Sequence, residues 1–261
     1  MSSRKRSQGP RHCFLPDKQV KPGDPIDHIE WAARYVAEKL PEVIVDAGDW
    51  FDMPSLSSWD RGKKSAEGRR YKDDIHAGNV ALDLFERTLK RYTPRSYKPR
   101  KVVTLGNHED RIARAVEEDA RLDGQLSLDD LHFKKHGWEV HPFLQPVIIH
   151  GVSYQHFTPL NANGSVTNAR NGAPSALAQG RRLMRSAVSG HRQGLDIALI
   201  PTPEKMLCSV IAGSYYVHSE SYLSPVGNAH WRGIVVCNDV RDGGMFEPMP
   251  VSLSYLERRF G

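Results

Sequence analysis

Four short apolar runs in this chain each end in a cluster of polar residues, and that repetition limits the fold more than any other feature. His12 to Leu15 leads into Pro16-Asp17-Lys18-Gln19, and Val43-Ile44-Val45 leads into Asp46-Ala47-Gly48-Asp49. Lys101 to Leu105 leads into Gly106-Asn107-His108-Glu109, and Val152 to Phe157 carries His156 near its end. Apolar runs this short, bounded by turn residues, read as buried strands. In sheets covered by helices, ligands collect at the carboxyl ends of the strands. The four clusters are therefore candidates for one shared site.

Between the runs the period changes to that of helices. Ile26, Ile29, Ala33, Val36 and Leu40 recur at helical spacing, with Asp24 placed to cap the helix, Pro25 at its first position and Pro41 to stop it. Ile75 to Tyr92 places Ile75, Leu82, Phe85 and Leu89 on one face, and a third helix runs from the Asn107 turn through Ala113 and Val116. Beyond residue 137 the pattern predicts strands at Val140 to Leu144, Val147 to His150, Val152 to Phe157, Met206 to Ile211, Gly233 to Val236 and Val251 to Leu256. Strand–helix alternation followed by strands predicts an α/β fold, a layered β-sandwich flanked by helices, with residues 1–261 as a single domain. Residues 1–11 read as a flexible basic N-terminus. Residues 54–74, which have no period, read as a lid insertion.

The 261 residues, 39% hydrophobic and 26% charged, suffice for one sizeable core. No apolar run approaches the roughly 18–20 residues that span a bilayer, so no membrane is expected. Met1 to Arg6 is charged but no apolar stretch follows, so no signal peptide is expected. The three cysteines lie far apart in no metal-binding spacing, which fits a reduced, cytoplasmic protein. A formal charge of +5 suits an anionic partner, although charge alone argues only solubility and steering. Oligomeric state leaves no trace in the pattern.

Taken singly, each polar cluster has an ordinary explanation. Asp17 suits a turn or a helix cap, His156 a structural histidine, and Gly190-His191-Arg192-Gln193-Gly194 a surface loop. Gly106-Asn107-His108-Glu109 is harder to explain that way, because a structural turn needs only its glycine or asparagine. Together, two carboxylates, an asparagine carbonyl and two histidines suit divalent Mn, Fe or Zn better than Ca²⁺, which takes oxygen alone. His150 competes with His156 as a ligand. It abuts Gly151, however, and so belongs to the opposite end of a hairpin.

These residues, in this order, resemble the calcineurin-like metallophosphoesterase superfamily, whose pattern runs D-x-H, G-D-x-x-D, G-N-H-E, a later histidine and G-H-x-H. Here the pattern reads Asp17-Lys18-Gln19, Gly48-Asp49-Trp50-Phe51-Asp52, Gly106-Asn107-His108-Glu109, His156 and Gly190-His191-Arg192-Gln193. The resemblance implies two divalent metal ions bridged by Asp49. The first would be held by Asp17, Gln19, Asp49 and Gln193, the second by Asp49, Asn107, His156 and His191. It also implies that His108, oriented by Asp52, protonates the leaving oxygen in two-metal phosphoryl hydrolysis. Both imidazoles of the first site are glutamines here, Gln19 and Gln193. The shell is then all oxygen, which favours Mg²⁺ or Mn²⁺, or else leaves the site weak or empty.

For the substrate, Met53-Pro54 after Asp52 departs from the R-G of the protein phosphatases in that superfamily. Arg61, Lys63, Lys64, Arg69, Arg70 and Lys72, set against Glu67 alone and flanked by Trp59 and Tyr71, are candidates to grip a nucleic-acid backbone. A solvated surface loop is the other reading. Arg181, Arg182, Arg185 and Arg192 are expected near His191. The Pro-Asp-Lys-Gln-Val-Lys-Pro opening looks like phage members of the superfamily. The expected activity is a phosphodiesterase or DNA nuclease. The alternatives are a nucleotide or small-molecule phosphatase, and a retired phosphoesterase fold that only binds.

Overall fold

The computed structural model describes residues 8–159, 174–220, 224–241 and 243–261. Within them, β1 (His12–Leu15), β2 (Val43–Asp46), β3 (Arg100–Thr104) and β4 (Glu139–His141) lie parallel in one sheet. Two antiparallel strands, β10 (Gly233–Asn238) and β11 (Glu247–Ser252), extend it beside β1 in the order β11-β10-β1-β2-β3-β4. A second sheet runs β5-β6-β7-β9-β8 and comprises β5 (Val147–Ile149), β6 (Val152–Gln155), β7 (Ala187–Ser189), β8 (Asp196–Pro201) and β9 (Met206–Ile211). Its inner strands β6, β7 and β9 are parallel.

The period-two alternation of strands decides the layering. Phe14, Val43, Val45, Val102, Val235 and Cys237 point to one side of the first sheet and pack against Val147, Tyr154, Val188, Cys208 and Val210 of the second. Cys13, Leu15, Ile44, Val103, Ile234 and Val236 point to the other side, toward helices. There they meet α1 (Asp27–Lys39), α2 (Tyr71–Tyr92) and a terminal helix, α6 (Leu253–Phe260), through Ala33, Val36, Leu82, Phe85 and Leu256. A further helix, α4 (Ala176–Leu183), covers the outer face of the second sheet, where its buried Gln179 amide nitrogen donates to Ser209 Oγ and the Val210 carbonyl at 3.3 Å each. The fold is an α/β sandwich of two sheets flanked by helices, as the sequence pattern implies. The remaining helices are α3 (Asp110–Glu118) and the single turn α5 (Pro225–Asn228).

Several elements differ from the sequence reading. Helix α1 begins at Asp27 rather than behind an Asp24 cap, because the Asp24 carboxylate faces His218 Nδ1 at 3.1 Å and Lys21 Nζ at 3.7 Å. Helix α2 starts at Tyr71, four residues before the apolar period becomes visible at Ile75. Val251 to Leu256 is not a strand beyond Ser252. The Ser252 hydroxyl accepts the Tyr255 N–H and starts α6, burying Leu256 where strand alternation would expose it. Of the expected N-terminal tail, residues 1–7 lie outside the described residues. Residues 8–11 are tied down: the Gly9 N–H donates to Asp239 Oδ1 at 2.7 Å, and Arg11 reaches the Lys39 carbonyl at 2.7 Å. Among the described residues, no helix is long and apolar enough to cross a membrane.

His28 on α1 is buried against Tyr215, and neither of its ring nitrogens has a hydrogen-bond partner. Burial, with Lys18 and His218 nearby, holds its pKa down at about 3. An unfolded chain therefore binds a proton here that the folded one refuses, so this residue's share of stability is intact above the unfolded pKa and falls as pH drops through 6.5. His28→Phe should lessen the acid-side loss by about 1.4 kcal/mol per pH unit between roughly pH 6.5 and 5. Urea denaturation at several pH values checks this.

Candidate metal centre

Five strand exits meet on one edge of the sandwich. Asp17 follows β1, Asp49 follows β2, Asn107 and His108 follow β3, His156 follows β6 and His191 follows β7. Because β1, β2 and β3 are parallel neighbours, as are β6 and β7, their carboxyl ends share that edge. The loops are tight enough to force unusual backbone: Gln19, Asp49 and His191 all adopt left-handed φ, at 46°, 47° and 64°. Conformations of this kind cost of order 1–3 kcal/mol each and persist only where the surroundings impose them. At Gly106 an added Cβ would strike the Asp49 carboxylate, so the β3 exit requires glycine to pass the β2 exit.

A buried carboxylate fixes these two exits to each other. Glu109, with 0% exposure, accepts the N–H groups of Asp49 (2.8 Å), Gly106 (2.8 Å) and Phe51 (3.0 Å). Burial and the neighbouring Asp49 charge push its pKa up to about 7, against the pull of those three donors. A second buried group, Lys18, joins the β1 and β2 exits. Its ammonium donates to the Asp46 carboxylate and to the carbonyls of Leu15 (3.1 Å) and Pro16 (3.0 Å), and it lies over the Trp50 ring. Sequence reasoning gave neither residue a structural role. The signal was present for Glu109, a carboxylate in a turn that needed none, but its three partners come from two separate loops.

The donor atoms converge. His156 Nε2 stands 2.9 Å from Asn107 Oδ1, 3.1 Å from His191 Nδ1 and 3.5 Å from Asp49 Oδ2. Asp49, His156 and His191 each offer a ligand atom within 4.8 Å of the others. The Ala47 carbonyl, 2.8 Å from His156 Nδ1, takes the proton on that nitrogen and leaves the Nε2 lone pair facing the cluster. Burial lowers the pKa of both histidines, that of His191 to about 3, so both are neutral as ligands must be. A lone pair, a carbonyl oxygen and a carboxylate oxygen converge here, which is the arrangement a divalent cation fits.

The other set expected from the sequence is assembled only in part. Asp17 accepts the His191 N–H at 3.0 Å on each oxygen. Burial, and next the Asp49 carboxylate beside it, raise its pKa well above the usual range. Gln19 is buried and lines the cavity over the site, whereas the Gln193 amide nitrogen donates to the Tyr216 hydroxyl at 3.1 Å. His150 is at the far end, as expected, in the β5–β6 turn with its Nδ1 2.9 Å from His12 Nε2.

His108 sits beside the donor cluster. Its Nδ1 is 2.9 Å from Asp52 Oδ1 and its Nε2 is 3.7 Å from Asp49 Oδ2, while the ring lines the cavity. Burial opposes its charge, but the Asp49 and Asp52 carboxylates outweigh that and raise its pKa above the ordinary imidazole value. Burial likewise opposes ionisation of Asp52, yet His108 holds its pKa down at about 2.

A cavity of about 1450 Å³ opens over the site. The 54–74 segment, three short turns ahead of α2, forms one wall of it. The residues of the expected basic grip are divided by the structure. Lys63, Arg69 and Arg70 line the cavity, but Arg69 is held by Asp60 at 2.7 Å, and Asp60, Glu67 and Asp73 interleave along the same wall. Arg61 pairs with Glu118 at 2.7 Å outside this cavity, and Lys64 and Lys72 are exposed and do not line it. Arg181 and Arg182 lie on α4, and neither they nor Arg185 and Arg192 line the cavity. Sequence reasoning missed Lys21, Arg111 and Arg114, which do line it.

No protein-family model matches the sequence, and no curated protein matches it. Among solved structures, one described as GAP50, the anchor in the inner membrane complex of Plasmodium, is similar at a TM-score of 0.33 and 13% identity, over 94% of this chain and 85% of that one. A likeness at that score carries no weight for function.

Glu109→Ala would strand three buried N–H groups, at about 1–3 kcal/mol each if unrelieved. It should also loosen Mn²⁺ binding by about 10–100-fold, the usual effect of losing a group that orients ligands. Thermal melting and calorimetric titration check the two effects separately.

Proposed function

We propose that this protein is a metal-dependent hydrolase of phosphoric esters, acting on phosphodiesters. The observation that carries the reading is the donor cluster of Asp49, Asn107, His156 and His191 with a His108–Asp52 pair beside it and outside it. A purely structural cluster, or a fold retired to binding, has no use for an imidazole paired with a carboxylate at the cavity edge. Mn²⁺ suits the mixed set, and Mn²⁺ or Mg²⁺ suits a second ion with Asp17 and Gln19 as oxygen donors. Divalent ions supply, when bound, a lowered pKa for water and charge neutralisation for an in-line displacement at phosphorus.

The chain's own residues do the rest. Asp52 fixes the Nδ1 side of His108, so Nε2 presents its proton to the cavity, where a leaving alkoxide would take it. The Arg111 guanidinium donates to the Asp52 and Met53 carbonyls at 2.7 and 3.0 Å, so it is a positioned cation whose charge no carboxylate cancels at those contacts. It lines the cavity and supplies attraction for a phosphate oxygen. The three free, buried thiols suit work in a reducing compartment such as the cytoplasm.

Hydrolysis of bis-(p-nitrophenyl) phosphate should exceed that of p-nitrophenyl phosphate, vanish in EDTA and return best with Mn²⁺. Equal rates in EDTA would remove the metal-dependent reading, and a preference for the monoester would make the protein a small-molecule phosphatase. His108→Ala should lower turnover by about 10²–10⁴-fold, the usual value of a positioned general acid, while calorimetry still registers Mn²⁺ binding. Loss of Mn²⁺ affinity in that variant would make His108 a ligand instead.

A further inference from the structure

A second cavity, of about 620 Å³, adjoins the first. Both are lined by the Pro54–Ser58 turn and by Arg111 and Arg114 of α3, so the two open on either side of one short partition. The second cavity contains no candidate metal ligand cluster. Its charged lining consists of Arg61, Arg111, Arg114 and Arg121 against Glu118 and Asp119. Its volume falls within the range of about 300–1,000 Å³ typical of small-ligand sites.

The four arginines are held in different ways. Arg111 is anchored on two backbone carbonyls, so its charge is fixed in place at the junction. Arg114 donates to the Asn107 carbonyl at 3.0 Å and pairs with Asp110 at 3.1 Å, linking α3 to the loop that carries a candidate ligand. Arg61 and Arg121, 76% and 89% exposed, pair with Glu118 and Asp119 at 2.7 Å each. Exposed pairs of this kind contribute little, so a competing anion can take either guanidinium. A guanidinium fork matches phosphate oxygens in two-point contact.

We infer that the second cavity is a subsite for the nucleotide next to the scissile phosphate of a single-stranded polynucleotide, whose backbone crosses the partition on Arg111 and Arg114 and reaches Arg61 and Arg121. The inference rests on the proposed phosphodiesterase activity for the position of the scissile phosphate, and on the second cavity's own lining for the strand. Four arginines against two acids leave this lining with a positive excess spread over its length, which suits successive phosphates, whereas a single small diester fills only the first cavity. A duplex keeps its bases paired and so does not turn a single nucleotide into a cavity of this size.

Fluorescence anisotropy in Mn²⁺ tests this, with phosphorothioate-linked thymidylate and uridylate octamers, a thymidylate dinucleotide and a duplex octamer. The octamer strands should bind more tightly than the duplex, and the deoxy and ribo arms identify which strand the site takes. Arg61→Glu and Arg121→Glu should each weaken octamer binding about tenfold and lower the salt slope by about 0.7 per lost contact. The dinucleotide, which carries no phosphate beyond the scissile one, should lose less affinity in either variant than the octamer does. Arg121→Gln, which removes charge without adding an acid, guards against a folding defect and should show a smaller loss of the same kind. Unchanged affinity and slope in the variants, or duplex bound as tightly as strand, overturns the inference. If the variants lose the strand although the wild type hydrolyses no small diester, the subsite stands and the hydrolase reading falls. If diester hydrolysis is present and the variants bind normally, the hydrolase reading stands and the subsite falls.

Discussion

The carboxylate of Glu109 is the constraint on which the site depends. Its two oxygens accept three backbone N–H groups from the exits of β2 and β3, with no exposure to water. The exits must then lie against each other so closely that Gly106 can carry no side chain and Asp49 is driven to positive φ. From that backbone position the Asp49 carboxylate accepts the His108 N–H at 2.9 Å and faces His156. The same buried carboxylate that shapes the loops thus sets the Asp49–His108 spacing. Lys18 does the equivalent between β1 and β2, as a cation with three oxygen partners.

These buried charges are affordable only because the strands beneath them are rigid. The inner faces of the two sheets pack Phe14, Val45 and Val102 against Tyr154, Val188 and Val210, and the opposite face of the first sheet is covered by α1, α2 and α6. Both faces of β1 to β3 are therefore dry, and a charged group at their ends is cut off from water on the sheet side. The outcome is a set of pKa values displaced in different directions within one site: those of His191 and Asp52 are held down and that of His108 is raised. Groups whose environments push their protonation in opposite directions are what acid–base chemistry at neutral pH requires.

Much of this was legible in order along the chain. The short apolar runs His12 to Leu15, Val43-Ile44-Val45 and Lys101 to Leu105 read as buried strands, and the polar clusters at their ends marked the edge where the donors meet. The three-residue strand β7 was not legible, because Ala187-Val188-Ser189 is buried throughout and too short for alternation to appear. The start of α6 was misread because Val251 and Leu253 alternate like a strand. The helical spacing of Leu253, Leu256 and Phe260 prevails once α1 and the Ser252 cap are in place. The basic run from Arg61 to Lys72 pointed to one wall of the cavity, but not to the acids from the same segment and from α3 that pair with Arg69 and Arg61.

By itself, then, the sequence determined the sandwich class, the loops that carry the site and the chemical types of its donors, because those follow from local periodicity and from turn residues next to strands. Only the tertiary structure decided how the donors face. The Ala47 carbonyl selects which nitrogen of His156 looks into the cluster, Tyr216 engages Gln193, and the Asp52 contact separates His108 from the ligand set. It also decided that Arg111 stands between two cavities with its charge uncancelled by its backbone contacts. Each of these depends on a partner from a different element, and hydrogen-bond direction and burial across such distances are set by packing rather than by any pattern within one segment.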